Sequence, residues 1–106
     1  KAVLDALRET ETAMTQYLKE EQRRQGLSRS VNDLKESARL SELRYREGVA
    51  TFLEVLDAQR VLYGEELALA QSVARTTVHL IALYKALGGS DALEVKPAEE
   101  PIRPWG

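Results

Sequence analysis

Apolar residues recur along this chain at alternating steps of three and four. Val3, Leu7, Thr10, Met14 and Tyr17 begin the pattern, with Leu4 and Leu18 beside them. After a polar stretch, Leu27, Val31, Leu34 and Ala38 resume it, followed by Ser41 and Tyr45. That spacing predicts an amphipathic helix close to the seven-residue repeat of a coiled coil. Beyond Phe52 it returns in Leu62, Glu66, Leu69, Val73, Thr76, Leu80, Leu83 and Leu87. A second stripe, Leu67, Ala70, Ala74, Ile81 and Tyr84, runs alongside. Two adjacent stripes are wider than a two-stranded coil needs, so this second helix should touch neighbours on two sides. Surface pairs such as Glu20 with Arg23 and Glu36 with Arg39 add only about 0.2–0.5 kcal/mol each. The stripes must therefore hold the legs in place.

Between the two patterned legs lies Arg44 to Arg60, where a stop signal meets a start signal. Gly48 suits the left-handed position just after a helix. Thr51-Phe52-Leu53-Glu54 reads as a capping box, with the Thr51 hydroxyl accepting from the Glu54 N–H and the Glu54 side chain reaching back to the Thr51 N–H. The expected fold is therefore all-α: a long antiparallel helical hairpin over 1–89. Its helices span about 2–47 and 52–87, joined by a tip turn at 48–51. Gly88-Gly89 should end the second helix. Residues 90–106, with Pro97, Pro101, Pro104, Glu99 and Glu100, read as an extended tail, with Asp91 to Val95 a candidate short element against the bundle. Lys19 to Gly26 contains no apolar residue. Two readings stand there: one continuous helix with a solvated middle, or a break at Gly26 that meets water or a partner. Unbroken, the first leg would be a rod of about 70 Å at 1.5 Å per residue, which needs other helices beside it.

Composition agrees with this picture. The chain has 106 residues, of which 30% are charged, with one Phe, one Trp and one Met. Leu, Ala and Val among many charges is the composition of long helices. A net charge of −2 gives no reason to expect a nucleic-acid partner. With no cysteine there are neither disulfides nor thiolate metal sites. No apolar run approaches the roughly 20 residues of a membrane-spanning helix. The chain begins at Lys1 without Met and already in a helical pattern, so it is expected to be a piece of a longer protein.

Candidate chemistry is sparse. His79 is the only histidine and is expected to be a structural or surface residue. No E-x-x-H pair or Gly-rich phosphate loop is present. No catalytic residue, metal site or cofactor is expected, and an enzyme is not. The tip is richer: Tyr45, Arg46, Glu54, Asp57 and Arg60 surround one sharp turn. Asp57 suits the positive end of its helix. Val49 and Phe52 are apolar at a turn that should meet solvent. Either a partner covers them or Phe52 tucks back between the legs.

Tyr45-x-x-Gly48 followed by Phe52-Leu53-x-Val55-Leu56-Asp57-Ala58-Gln59 resembles the second tip motif of the TolC-like outer-membrane efflux factors. Arg60-x-Leu62-Tyr63, the ending Leu83 to Gly89 and the start Ala2 to Glu11 look like the multidrug-efflux and NodT-type branch, in which a lipoprotein signal is common. The resemblance covers residues 1 to about 89. It implies a homotrimeric channel, a β-barrel in the outer membrane continued by an α-helical tunnel in the periplasm. This chain would be the periplasmic hairpin of the second repeat. By the same resemblance Tyr45 and Asp57 would belong to the polar network that closes the tip. Gly48, Val49, Ala50 and Thr51 would form the turn on which a periplasmic adaptor docks, with an inner-membrane pump as indirect partner. Some relatives carry an Arg where this chain has Ala50. The competing expectation is a structural coiled-coil or adaptor hairpin; a di-metal helical-bundle enzyme is a third. Alone, the piece should self-associate through its apolar stripes.

Overall fold

A computed structural model describes the backbone of residues 2–94 and the side-chain surroundings of residues 2–88. Two helices fill it: α1, Ala2–Arg46, and α2, Phe52–Glu94. They pack antiparallel as a single hairpin, and no strand occurs among the described residues. The long dimension is 67 Å, the length that the 45 residues of α1 should span at 1.5 Å each. The radius of gyration is 22.3 Å, whereas a compact chain of this size would have about 13 Å. The hairpin is elongated, and among the described residues its few buried apolar side chains, such as Val31, Val55 and Leu83, are strung along the contact between the two helices.

α1 runs unbroken through Lys19 to Gly26. Polar pairing braces that stretch: Arg24 and Gln25 both donate to the Glu21 carboxylate, at 3.0 and 3.1 Å. The stretch is also only partly solvated. Glu20, Glu21 and Arg24 are all half-buried, because the seam between the helices passes over them.

The seam follows the heptad step throughout. On α1 it passes through Thr10, Ala13, Tyr17, Glu20, Arg24, Leu27, Val31, Leu34, Ala38 and Ser41. On α2 it passes through Val55, Ala58, Leu62, Leu69, Ser72, Thr76, His79, Leu83 and Ala86. The lower half of α1 is as its sequence predicts as far as Ser41, whereas Tyr45 is exposed. The upper half differs, with Ala13 inside while Met14, Leu7 and Val3 are exposed. On α2, Leu62, Leu69, Thr76 and Leu83 face the seam as expected. Their companions are Ser72, His79 and Ala86, not Val73, Leu80 and Leu87, which face outward. Small residues let two helices approach closely. The bulkier leucines on the adjacent face are left without a partner inside the hairpin.

The second helix also continues to Glu94, through Gly88 and Gly89, where the sequence suggests an end. A helical glycine costs about 0.8–1.0 kcal/mol relative to alanine but keeps its N–H. No proline intervenes before Pro97, so nothing forces the ladder to stop. The proline-rich tail from 95 onward lies outside the described residues.

Candidate functional site

Two places bring functional groups together: the hairpin tip and a polar cluster midway along the seam. The tip is built by backbone chemistry. The Gly48 N–H donates to the Tyr45 carbonyl at 3.0 Å, and the Val49 N–H donates to the Arg44 carbonyl at 2.8 Å. These two bonds define a Schellman motif with Gly48 at C′. Its φ of +81° is why glycine sits there, since other residues rarely adopt that conformation. The Ala50 N–H also reaches the Arg44 carbonyl, at 3.2 Å, and this folds Ala50 inward to a buried position.

The new helix starts two residues later. Thr51 Oγ1 accepts from the Glu54 N–H at 3.2 Å, which is the N-cap half of the capping box. The reciprocal bond from the Glu54 side chain is not among those formed. Arg44 and Arg46 fall in the last turn of α1 and Glu54 in the first turn of α2, each complementing its helix dipole.

This turn holds an apolar surface outward. Val49 is 64% exposed and Phe52 53%. Leu53 and Leu56 are also exposed. Phe52 does not tuck between the legs. Its ring packs against Tyr45 across the turn, centroids 5.4 Å apart and planes tilted by 52°, an aromatic arrangement of the favourable tilted kind. The Tyr45–Phe52 pair escapes sequence reasoning, because seven residues and a helix boundary separate its members.

Tyr45 and Asp57 are not joined to each other. Asp57 accepts from the Arg60 guanidinium at 2.8 Å on its own helix, one turn on, with both side chains exposed. Within one chain, then, Asp57 is a neutralised surface charge beside the tip.

The second cluster lies near the middle of the rod. Ser72 is fully buried, at 0% exposure, and its hydroxyl donates to the Glu20 carboxylate at 2.6 Å. Arg75 reaches the same oxygen at 3.5 Å, and Arg23 lies 3.8 Å away. The Ser72 hydroxyl is the main reason the Glu20 carboxyl titrates below the usual carboxylate range; partial burial opposes it, and Arg75 and Arg23 reinforce it. Sequence reasoning places Glu20 on the surface with Arg23 and gives Ser72 no role. Ser72 falls on the step that the seam follows only once the rotation of α2 against α1 is known.

His79 is half-buried on the same seam. Among the described residues no group of three His, Asp or Glu side chains could hold a metal ion. No described helix is long and apolar enough to cross a membrane.

Among the described residues, then, exposed apolar and charged groups gather at the tip and along the packing faces. Residues 1–89 match the family model described as outer membrane efflux protein. The chain belongs to that family, the TolC-like and NodT-type efflux proteins, which are channel proteins rather than enzymes. It is similar to the pyoverdine export outer membrane protein OpmQ of Pseudomonas putida, 35% identical over 83% of this chain and 19% of that protein. The outer membrane protein OprJ of Pseudomonas aeruginosa is 34% identical over 82% of this chain and 17% of its own length. Nodulation protein T of Rhizobium leguminosarum bv. viciae is 29% identical over 85% and 19%. The chain thus spans about a fifth of the relatives it matches. No solved structure matches it.

Proposed function

We propose that this chain is a periplasmic helical hairpin of an outer-membrane efflux channel. It would form part of the wall of a homotrimeric helical tunnel, and its tip would be both gate and docking turn. The observation that carries this reading is the outward face of α2. Phe52, Leu56, Tyr63, Leu67, Val73, Leu80, Tyr84 and Leu87 form an exposed apolar line along the rod. One hairpin cannot cover that line, whereas neighbouring hairpins in a closed ring would. The names of its relatives, export and efflux proteins of the outer membrane, support the same reading.

At the tip, Gly48, Val49, Ala50 and Thr51 would meet the hairpin of a periplasmic adaptor. The exposed Val49 supplies the apolar contact, and the Schellman turn fixes its position. Tyr45 and Asp57 would link neighbouring hairpins when the tunnel is closed. Asp57 would then exchange its Arg60 partner for a group on the adjoining chain. Transport through such a channel is passive, so the driving energy would come from an inner-membrane pump. A carboxylate at the constriction would also favour cations.

The test is single-channel conductance of the channel that carries this hairpin, with and without Asp57→Ala. Loss of the inter-hairpin link should raise closed-state conductance. An unchanged conductance would reduce Asp57 to a helix-terminus charge.

A further inference from the structure

The seam of α2 has two possible faces. One consists of Leu62, Leu69, Thr76 and Leu83 together with Val73, Leu80 and Leu87. The other keeps the first four and replaces the last three with Ser72, His79 and Ala86. The two differ by a rotation of α2 about its own axis of roughly 50°, half the ~100° between successive residues. Burial of apolar surface alone favours the leucine face. The structure adopts the small and polar one.

The cross-leg hydrogen bonds fall at the positions that distinguish the two faces. The Ser72 hydroxyl donates to Glu20 at 2.6 Å, and Arg75 closes on the same oxygen from the flank. At the far end of the rod the Thr10 hydroxyl donates to the Ala86 carbonyl at 3.3 Å. The hydroxyl of Thr76, one turn beyond Ser72 and common to both faces, is buried without a hydrogen-bond partner among the described residues, so it does not distinguish them. Meanwhile Val73 and Leu87 remain 44% and 61% exposed.

We propose that Glu20, Ser72 and Arg75 form a rotational latch. The latch holds α2 with its small residues in the seam and so keeps the leucine line facing outward. A buried polar pair serves here as such pairs do in coiled coils, selecting one arrangement among several that apolar packing would accept. Rotating α2 would carry Ser72 out of the seam and leave the Glu20 carboxylate half-buried without its strongest donor. The latch concerns this chain's own geometry. It holds whether or not the outward face lines a tunnel.

The chain has no cysteine, so single introduced thiols report the rotation directly. Reactivity toward a soluble maleimide is compared at Ala86→Cys, Leu87→Cys and Val73→Cys. In the otherwise unchanged chain, Leu87→Cys should react faster than Ala86→Cys. Combining each reporter with Glu20→Leu and Ser72→Ala should reverse that order and slow Val73→Cys by at least ~10-fold, as expected of a group moved from solvent into a packed seam. Self-association would slow the reporters at 73 and 87 but would not speed the one at 86, so the reversal counts as rotation only when the rate at 86 itself rises. An unreversed order with helicity retained overturns the latch. If the double substitution fails to fold, Ser72→Ala alone is read with the same reporters. A ratio of rates at 87 and 86 that falls at least ~3-fold supports the latch, and an unchanged ratio overturns it.

Discussion

Replacing Gly48 by alanine isolates what the tip turn demands of the backbone. A Cβ at this position would meet no atom within 4 Å, so packing contributes nothing to the outcome. What remains is the φ of +81°, a conformation that costs an L-residue about 1–2 kcal/mol. Alanine also stiffens the unfolded chain, which offsets about 0.4–1 kcal/mol of that. The net expectation is a destabilisation of about 1 kcal/mol, roughly a fivefold loss in the folding equilibrium. Gly64 supplies the control. It lies inside α2, and its Cβ would also meet nothing within 4 Å. There the same substitution should stabilise by about 0.8–1.0 kcal/mol. The assay is urea unfolding followed by far-UV ellipticity, with all variants at one protein concentration because association adds to apparent stability. Opposite shifts in midpoint at unchanged slope confirm the reasoning. A neutral or stabilising Gly48→Ala would refute it, since the turn would then not depend on its left-handed residue.

Two further outcomes follow from the rod's surface and seam. Light scattering on the isolated chain should show concentration-dependent association, because the apolar line from Phe52 to Leu87 is uncovered; a folded monomer at high concentration would count against that. The Glu20 carboxyl is held below its ordinary value by the Ser72 hydroxyl, with Arg75 and Arg23 assisting. Its stabilising contribution is therefore full above about pH 4.5 and lost as pH falls through the lower folded-state value. Glu20→Gln should flatten that part of the acid limb in urea titrations, and identical acid slopes in the two proteins would remove Glu20 from the account.

Much of the hairpin was legible in the sequence because its signals are local. Gly48 must follow a helix, Thr51 must begin one, and the heptad step on either side makes both legs helical. The rotation of α2 was not legible. Val73, Leu80 and Leu87 are indistinguishable on a helical wheel from a seam, and only the partner leg decides between that face and its neighbour. Glu20 and Ser72 decide it across 52 residues of sequence. The extension of α2 past Gly88-Gly89 was missed for a related reason, since paired glycines weaken a helix without forbidding it. At the tip, the residues were evident but not their pairing. Tyr45 meets Phe52, and Asp57 meets Arg60.

The role proposed for the tip is tested most directly by site-specific photo-crosslinking. A photoreactive residue is placed at Val49 in the channel that carries this hairpin, expressed with its adaptor and pump. The account predicts an adduct with the adaptor from Val49 and none from Arg23, which lies on the mid-rod surface far from the turn. An assembled complex that yields no adaptor adduct from Val49, Ala50 or Thr51 would contradict it.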